Sequence, residues 1–330
     1  MKKWKFIGII AFIVLVISLL IMNYRYPFVT EKVGKWSVGY GFSEDPITKT
    51  DISEDHLISY EKVDSLLQNE GNYIADPFFI KEKDSFYLFT ELKGQKNADI
   101  ALFTSANGLN YEYKGVVLNE DFHLSYPQVF KYRDEFYMLP ETNQSGNVLL
   151  YKAEDFPYQW RIVDTLIENV NFKDPSLLLS PDLNLIVTVD DHMNQLMFTA
   201  DSLEGQWREV RKYTSKKGNE TRPGGRFFNY KGEWFLPIQD RRFGYGSGIS
   251  IYRLKNSEEN IELVPFKNRY LKEMKNIKWF NRGMHQLDIQ KIGDAFYSVY
   301  DGDRNINREK AFQIKRTLKY NWYDFSKLWR

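Results

Sequence analysis

Two patterns of hydrophobic residues divide the chain. An uninterrupted apolar run, FIGIIAFIVLVISLLIM, occupies positions 6–22 and follows a start that carries Lys2, Lys3 and Lys5. Its 17 residues would span about 25 Å as a helix, which is close to the shortest length that crosses a bilayer. Downstream, the apolar runs are short and alternate with polar turns, a pattern that predicts β-strands.

The apolar run is expected to be a retained membrane anchor rather than a cleaved signal peptide. It is long for the apolar part of a signal peptide, and the residues after it, NYRY at 23–26, offer no small-residue cleavage site. Three lysines and the α-amino group precede the run, while Arg25, Lys32 and Lys35 follow it. This bias favours a single-pass membrane protein with its N-terminus inside and its body outside the cytoplasm.

Self-similarity with a period near 49 residues runs through the rest of the chain. Four strand starts contain a proline, at positions 77, 127, 175 and 223, so the steps are 50, 48 and 48 residues. Each is followed after a short turn by an apolar strand, such as FYLF at 86–89 and FYML at 136–139. A divergent fifth copy begins with GMHQL at 283–287 and continues into AFYSV at 295–299. Equal spacing of this kind indicates a repeat architecture.

Five such units predict an all-β fold, a five-bladed β-propeller preceded by one transmembrane helix. A β-sandwich would explain short strands but not their regular spacing. We expect the segment 36–40 (WSVGY) to close the ring by adding a strand to the last blade. The predicted organisation is a basic N-terminus at 1–5, a transmembrane anchor at 6–22, a linker at 23–34 and the propeller at 35–330.

Composition narrows the possible functions. Forty-five basic residues balance 44 acidic ones, which argues against a nucleic-acid partner. The absence of cysteine excludes disulfides, zinc–thiolate sites, iron–sulfur clusters and thiol nucleophiles. Aromatic residues make up 16% of the chain; they favour strands and also stack on sugars.

A series of short motifs at blade spacing carries a family resemblance. The motifs are ADPF at 75–78, SYPQV at 125–129 with YMLPE at 137–141, DPS at 174–176, RPGG at 222–225 with PIQD at 237–240, and GMH at 283–285. Together they resemble the N-terminal propeller domain of glucosamine inositolphosphorylceramide transferases and its bacterial relatives. More distantly, they are similar to five-bladed glycosidases of the arabinanase/β-xylosidase type, family 43. The resemblance covers the chain except for the anchor and linker, and it implies the same fold and chemistry on sugars.

The repeat brings distant residues to one place, because the inner strand of every blade starts at the central funnel. Side chains at these starts are expected around one mouth, with acidic and amide residues of the neighbouring strand ends beside them. The first set is Asp76, Tyr126, Asp174, Arg222 and His285; the second is Glu91, Glu141, Asp190, Gln239 and Asp240. A glycine-rich turn at 244–248 is expected to carry Tyr245 to the mouth. Clustered carboxylates in an aromatic-rich pocket suit glycosyl transfer.

The resemblance to the glycosidases implies that Asp76 is a general base and that Asp174 orients and tunes it. Those enzymes also need a general acid, at a position that here reads TRP at 221–223. Glu220 is displaced by one residue, which turns a strand side chain to the other face. Arginine pairs well with phosphates and carboxylates, so Arg222 favours an anionic sugar donor, and therefore transfer over hydrolysis.

Simpler roles remain open for the same residues. Asp76 and Asp174 could form ordinary turns before proline, and Glu91 and Glu141 could pair with lysines on the rim. Arg222 could support a neighbouring blade through carbonyls or Asp240. His285 could be a core histidine, or, as the glycosidase resemblance implies, a neighbour of a divalent cation in the central channel.

The favoured hypothesis is a membrane-anchored, carbohydrate-active propeller that transfers a sugar during envelope or surface-polysaccharide assembly. Its partner would be a glycan or glycosylated acceptor. The catalytic set is Asp76, Asp174 and Arg222, and the substrate-binding set is Glu91, Tyr126, Glu141, Gln239, Asp240 and Tyr245. Two alternatives remain: an inverting glycoside hydrolase acting on extracellular glycan, with carboxylates about 6.5–9.5 Å apart, and a non-catalytic glycan-binding module.

Overall fold

The computed structural model describes residues 2–47, 52–68, 72–94, 97–210, 213, 216–257 and 260–326. Within these ranges the chain forms five four-stranded antiparallel sheets, and successive sheets pack against each other around a central axis. The predicted five-bladed β-propeller is thereby confirmed.

Blades I to III each follow a simple meander from the innermost strand outward. Blade I comprises β4 (Tyr73–Glu82), β5 (Ser85–Lys93), β6 (Ala98–Ser105) and β7 (Glu112–Leu118). Blade II comprises β8 (Ser125–Tyr132), β9 (Glu135–Glu141), β10 (Asn147–Asp155) and β11 (Gln159–Glu168), with a 3₁₀ turn at Asn143–Ser145. Blade III comprises β12 (Lys173–Leu179), β13 (Asn184–Val189), β14 (Gln195–Thr199) and β15 (Arg208–Glu209).

Blades IV and V complete the ring. Blade IV comprises β16 (Phe228–Tyr230), β17 (Glu233–Gln239), β18 (Gly248–Asn256) and β19 (Ile261–Lys272). Blade V combines β20 (Leu287–Ile292) and β21 (Ala295–Arg304) with β2 (Lys35–Ser43) and β3 (Leu57–Ile58), and a 3₁₀ turn covers Lys278–Phe280. Strand β2 pairs with β21 along its whole length, from Lys35 opposite Arg304 to Ser43 opposite Phe296. The predicted closure of the ring by residues 36–40 is confirmed.

The proline-containing starts of the inner strands share an unusual backbone. Asp76, Tyr126 and Asp174, each directly before a proline, have φ values of 49°, 52° and 50°. Strand pairing shifts register at the same point in all three blades. A left-handed conformation in a residue other than glycine costs about 1–3 kcal/mol and persists only where the surroundings enforce it. The repeat therefore marks a recurring bulge at the axis, not merely a strand start.

The hydrophobic core lies between neighbouring blades. Phe79 and Leu88 of blade I pack with Tyr297 and Val299 of blade V, and the hydroxyl groups of Tyr111 and Tyr297 lie 3.0 Å apart. Similar clusters follow at the other blade interfaces. The high aromatic content of the sequence is largely used here, because wide sheets that fan out from an axis need bulky side chains between them.

The terminal elements lie outside the blades. Helix α1 (Lys2–Arg25) contains one segment, Trp4–Arg25, that is long and apolar enough to cross a membrane, and its apolar side chains are exposed. Strand β1 (Val29–Glu31) pairs with β22 (Lys310–Phe312), which leads into helix α3 (Ile314–Ser326). A short helix, α2 (Tyr60–Leu67), packs near β4.

Candidate functional site

A cavity of about 210 Å³ lies at the mouth of the central funnel. Six of the residues predicted from the repeat line it: Asp76, Glu91, Glu141, Arg222, Tyr245 and His285. The other lining residues are Val33, Gly34, Trp36, Tyr73, Ala75, His123 and Ser125. This volume is below that of typical drug-sized ligand pockets, so it suits one small moiety such as a single sugar ring.

Strand register explains why these residues meet. Ala75, next to Asp76, pairs with Glu91, and Ser125 pairs with Glu141, so the bulge of each inner strand lies beside the end of the second strand. The acid at such a strand end also accepts a hydrogen bond from the inner strand of the next blade. The backbone amide of Asp174 donates to Glu141 at 3.0 Å, and that of Asp76 donates to Asp301 at 3.0 Å. These bonds hold the strained bulges in place.

Asp174 is locked into a buried ion pair with Arg222. The arginine donates from Nε to Oδ2 at 2.5 Å and from Nη2 to Oδ1 at 2.8 Å, and its Nη2 also reaches Glu141 at 3.3 Å. Gln239 adds a hydrogen bond to Asp174 at 2.8 Å. Burial alone would raise the pKa of Asp174, but Arg222 outweighs it and the pKa is lowered. An anionic ligand at Arg222 would therefore compete with two carboxylates that already bind it.

Asp76 has a different environment. Its Oδ1 lies 3.5 Å from Nε2 of His285, whose Nδ1 lies 2.8 Å from Asp301. Burial raises the pKa of Asp76 to about 7, and the nearby His285 limits this rise. Burial alone would lower the pKa of His285, but Asp301 outweighs it and the pKa is raised, which favours the imidazolium. Asp76 can thus gain or lose a proton near neutral pH.

Burial also shifts two further carboxyl groups in the cavity towards the protonated form. Burial raises the pKa of Glu91 and of Glu141 well above the ordinary value, and the neighbouring Asp76 raises both further. For Glu141, Arg222 opposes the rise. His123 lies 3.7 Å from Glu91, and burial lowers the pKa of this histidine. Neutral carboxyl groups both donate and accept hydrogen bonds, as binding of sugar hydroxyls requires.

Aromatic rings enclose the same space. Trp36 stacks on the His285 ring with centroids 3.9 Å apart, and the Tyr245 hydroxyl lies 2.9 Å from Nε2 of His285. Arg222 lies over the Tyr245 ring at 5.7 Å. The stacked Trp36 fixes the imidazole orientation from the side, while Asp301 fixes it from behind.

Five other predicted residues lie outside the lining of the cavity. Asp174 accepts hydrogen bonds from the side chains of Arg222 and Gln239, and the backbone amide of Gln239 donates to the Arg222 carbonyl at 2.9 Å. Tyr126 is fully buried; its hydroxyl donates to the Gly225 carbonyl at 2.8 Å and accepts from the Gly225 amide at 2.7 Å. A side chain at Gly225 would collide with the carbonyl of Leu287, so the RPGG motif is needed where blades IV and V meet.

Asp240 and Asp190 are the remaining two, and each is held by its own blade. Asp240 is fully buried and accepts hydrogen bonds from Asn219 at 3.0 Å and from Arg269 at 3.1 Å. Asp190 follows the second strand of blade III and accepts from the backbone amide of Asn194 at 2.8 Å, which shapes the turn to the next strand. Neither carboxyl group takes part in the funnel cavity.

Glu220, the displaced acid next to Arg222, does not reach the funnel either. It accepts a hydrogen bond from Ser250 at 2.6 Å and lines a different cavity. The expectation that a shift of one residue turns this side chain away from the mouth agrees with its position.

A divalent cation would have three ligand atoms available at the funnel. Among the described residues, Asp76, His285 and Asp301 offer these atoms within 4.8 Å of one another. However, Asp301 already accepts hydrogen bonds from the backbone amides of Asp76, His285 and Gln286 and pairs with the imidazole. The imidazole of His285 already pairs with both Asp76 and Asp301, so the three side chains do not fit a metal ion well.

Four residues of the site do not follow from the sequence reasoning. The sequence indicates Trp36 only as part of ring closure, and it does not single out Tyr73, His123 or Asp301. A signal for Asp301 existed, because it lies towards the end of the second strand of blade V, as Glu91 and Glu141 do in blades I and II; its amide bonds to the Gln286 carbonyl. The lack of a proline in the fifth copy concealed this correspondence.

Comparison with known proteins identifies a matching family and similar plant proteins. The family described as glucosamine inositolphosphorylceramide transferase 1, N-terminal, matches residues 30–303. The rice (Oryza sativa subsp. japonica) protein named glucosamine inositolphosphorylceramide transferase 1 is 30% identical over 301 residues, which is 82% of this chain and 40% of the rice protein. The chain thus spans about two fifths of the length of that relative.

Solved structures share the fold. The catalytic domain of a GH62 α-L-arabinofuranosidase from Coprinopsis cinerea has a TM-score of 0.55 at 12% identity, covering 83% of this chain and 92% of that domain. The Bacteroides ovatus protein described as Xyloglucan PUL GH43B has a TM-score of 0.52 at 16% identity, covering 68% and 47%. The family match extends over most of the propeller and includes every predicted site residue, and on this basis the chain belongs to the family of glucosamine inositolphosphorylceramide transferase N-terminal domains.

Proposed function

We propose that this propeller is a carbohydrate-active enzyme that transfers a sugar to an acceptor at a membrane, with Asp76 as the general base. The observation that carries the proposal is a carboxyl group with a pKa of about 7 in a cavity of about 210 Å³ lined by aromatic rings and by two acids whose pKa burial raises. A base is most effective when its pKa lies near the working pH. The family membership supports the same chemistry, since its named members are glycosyl transferases by description.

The reaction would proceed with the carboxylate of Asp76 facing the attacking hydroxyl. As the hydroxyl oxygen forms its bond to the anomeric carbon, its proton passes to Asp76, and the leaving group departs with the electron pair of the broken bond. His285, held by Asp301, favours the ionised form of Asp76 that accepts this proton. Glu91 and Glu141 would bind sugar hydroxyls, and the Arg222–Asp174 pair would hold Glu141 in position.

One observation favours a second candidate, an inverting glycoside hydrolase. Glu91 and Glu141 have raised pKa values, so either could donate a proton to a glycosidic oxygen, the role that the sequence left without a residue. Water would then be the acceptor, activated by the same Asp76. The two proposals share the base and differ in whether a protonated carboxyl group is needed for the leaving group.

Transfer and hydrolysis can be separated with the full-length chain in detergent micelles or nanodiscs. The protein is incubated with a panel of activated sugar donors and a membrane-lipid extract, and separately with aryl glycosides, and products are identified by mass spectrometry. New glycosylated lipid supports transfer; sugar released into water supports hydrolysis. Asp76→Asn should lower turnover by about 10²–10⁴-fold. The matched control is Asp84→Asn, an exposed acid in the turn at the far end of the same β-hairpin. Full activity of Asp76→Asn would exclude Asp76 as the base.

The membrane arrangement belongs to the same proposal. We place α1 across the bilayer and the propeller outside the cytoplasm, as the charge bias around α1 favours. A donor on that side would be a lipid-linked sugar, because nucleotide sugars are cytoplasmic. Labelling of an Asp84→Cys variant with a membrane-impermeant maleimide on intact cells tests the placement, since the chain has no other cysteine. Labelling only after lysis would place the body in the cytoplasm and favour a nucleotide-sugar donor.

A further inference from the structure

Helix α3 has an exposed apolar stripe that the propeller does not cover. Ile314, Leu318, Trp322 and Phe325 follow one another at steps of four, four and three residues, which places them on one side of the helix. Their exposed fractions are 54, 46, 64 and 49%. On another side of the helix, Thr317, Tyr320 and Asn321 are buried. Four large exposed side chains in one line mark a surface that binds something.

The buried side of α3 is fixed to the end of α1. Asp324 pairs with Arg25 at 2.6 Å and accepts from the Tyr26 hydroxyl at 2.8 Å, and Asn321 donates to the Met22 carbonyl at 3.3 Å. Thr317 donates to the Pro27 carbonyl at 3.0 Å. The helix therefore lies beside the last turn of the apolar segment, where a membrane-spanning helix would reach the bilayer surface.

Helix α3 is also fixed to the propeller. Arg316 donates to the carbonyls of Arg241 and Arg242, which follow the second strand of blade IV on the mouth side. Val33 and Gly34, a few residues after α1, line the funnel cavity itself. The funnel mouth and the two helices thus lie on the same face of the propeller.

The charges next to the stripe are mainly basic. Along α3, Lys315, Arg316 and Lys319 outnumber Asp324. Among the described residues, a cavity of about 1180 Å³ between α1, α3 and blades III and IV is lined by the bases Arg25, Lys216, Lys217 and Arg242 and by the acids Glu220 and Asp324. Tyr24 and Trp322, both exposed, flank it. Aromatic and basic side chains together are typical of a membrane interface with anionic head groups.

We propose that α3 is an interfacial helix that lies in the surface of an anionic membrane, with the stripe Ile314, Leu318, Trp322 and Phe325 inserted among the lipids. The stripe lies on a helix that packs against the end of α1, and the basic residues would meet the lipid head groups. Two membrane contacts, one across the bilayer and one along it, would prevent the propeller from swinging on a single helix. The funnel mouth would then face the membrane surface. This inference does not depend on the reaction that the funnel performs.

Single-cysteine variants of the full-length chain test the insertion directly, because the native sequence contains no cysteine. Leu318→Cys and Trp322→Cys carry the probe on the stripe, and Asp84→Cys is the control at the end of the blade I hairpin remote from the mouth. Each is labelled with an environment-sensitive fluorophore in nanodiscs that contain phosphatidylglycerol and quencher-labelled lipids. The stripe labels should be quenched by the lipids several-fold more than the Asp84→Cys label, and protected from aqueous acrylamide.

Two results would overturn the proposal. Stripe labels that behave like the control in nanodiscs would show that α3 stays in water. Stripe labels that are equally protected in lipid-free detergent, together with a dimer in native mass spectrometry, would show that the stripe binds a second copy instead. Charge reversal by Lys315→Glu with Lys319→Glu should reduce lipid quenching in anionic nanodiscs but not in phosphatidylcholine nanodiscs. An equal reduction in both would refute the role of anionic head groups.

Discussion

Asp76 and Asp174 occupy the same position in blades I and III, yet their surroundings give them opposite properties. Both precede a proline, both have φ near 50°, and both are buried. Asp174 receives two hydrogen bonds from Arg222 and its pKa is lowered, whereas Asp76 lies 3.5 Å from a histidine that also pairs with Asp301, and burial raises its pKa to about 7. The repeat thus determines the position of the side chain, and the residues contributed by the neighbouring blades determine its pKa.

The largest effect on stability is expected from removing Arg222, the cation that is hydrogen-bonded to Asp174. Arg222→Leu leaves Asp174 and Glu141 buried without their shared partner, which should cost about 3–5 kcal/mol of unfolding free energy. The loss is measured as a lower melting temperature of the full-length protein in detergent. The double variant Arg222→Leu with Asp174→Asn should recover part of it. No loss in the single variant would show that the ion pair is not what stabilises this region.

A smaller difference in stability is expected between substitutions of the two aspartates. Asp174→Asn removes charge-assisted hydrogen bonds to Arg222 and should cost about 1.5–3 kcal/mol. Asp76→Asn should leave the melting temperature unchanged or slightly raised, because burial disfavours the charge of Asp76. Equal destabilisation by both substitutions would contradict the contrast between blades I and III.

The contributions of Asp76 and Asp174 to the free energy of unfolding should depend on pH in opposite directions. Folded Asp76 keeps a proton up to about pH 7 that the unfolded chain releases near its ordinary pKa of 3.8. Its stabilising contribution is therefore complete below that value and is lost as pH rises towards 7. For Asp174 the folded pKa is lowered, so its contribution is present above the unfolded pKa and is lost as pH falls through the folded value. Melting curves are measured for wild type, Asp76→Asn and Asp174→Asn across pH 3–8. The difference in melting temperature between wild type and each variant should change with pH in opposite directions for the two variants.

The smallest effect is expected at Glu91. Burial raises its pKa and so favours the protonated form, and a glutamine at this position would closely replace a protonated carboxyl group that only binds hydroxyls. Under the transfer proposal, Glu91→Gln should change kcat by less than about tenfold, because a general acid or base is worth about 10²–10⁴-fold. A loss of about 10²-fold or more would assign Glu91 as proton donor and favour hydrolysis.

The period of the sequence was sufficient to predict the propeller, and the sequence also indicated the closing strand and six of the thirteen residues that line the funnel cavity. Asp76, Glu91, Glu141, Arg222 and His285 lie at corresponding places of a repeating unit, which brings them to one axis, and Tyr245 was indicated by its glycine-rich turn. Partners in different blades are not encoded by the period. The contact of Arg222 with Asp174 and Glu141 joins blades II, III and IV, and only the folded structure reveals it.

Non-repeating segments were the other limit of prediction. Helix α3 has no counterpart in the blades, and its helical pattern within 314–326 was not recognised. His123 precedes β8, outside the motifs that define the repeat, and reaches the cavity only because its neighbour Leu124 bonds to blade I at Ala98. The spacing within α3 is local and readable in the sequence, whereas the position of His123 depends on a contact with another blade, which spacing alone does not report.

The most direct test of the account is the titration of Asp76. The full-length chain labelled with ¹³C at the aspartate carboxyl carbons is studied by NMR in nanodiscs, and the Asp76 signal is assigned by its loss in Asp76→Asn. The account predicts a carboxyl group that titrates near pH 7, while the signal lost in Asp174→Asn shows no titration in that range. An Asp76 carboxyl that is fully ionised by pH 5 would contradict its role as the general base.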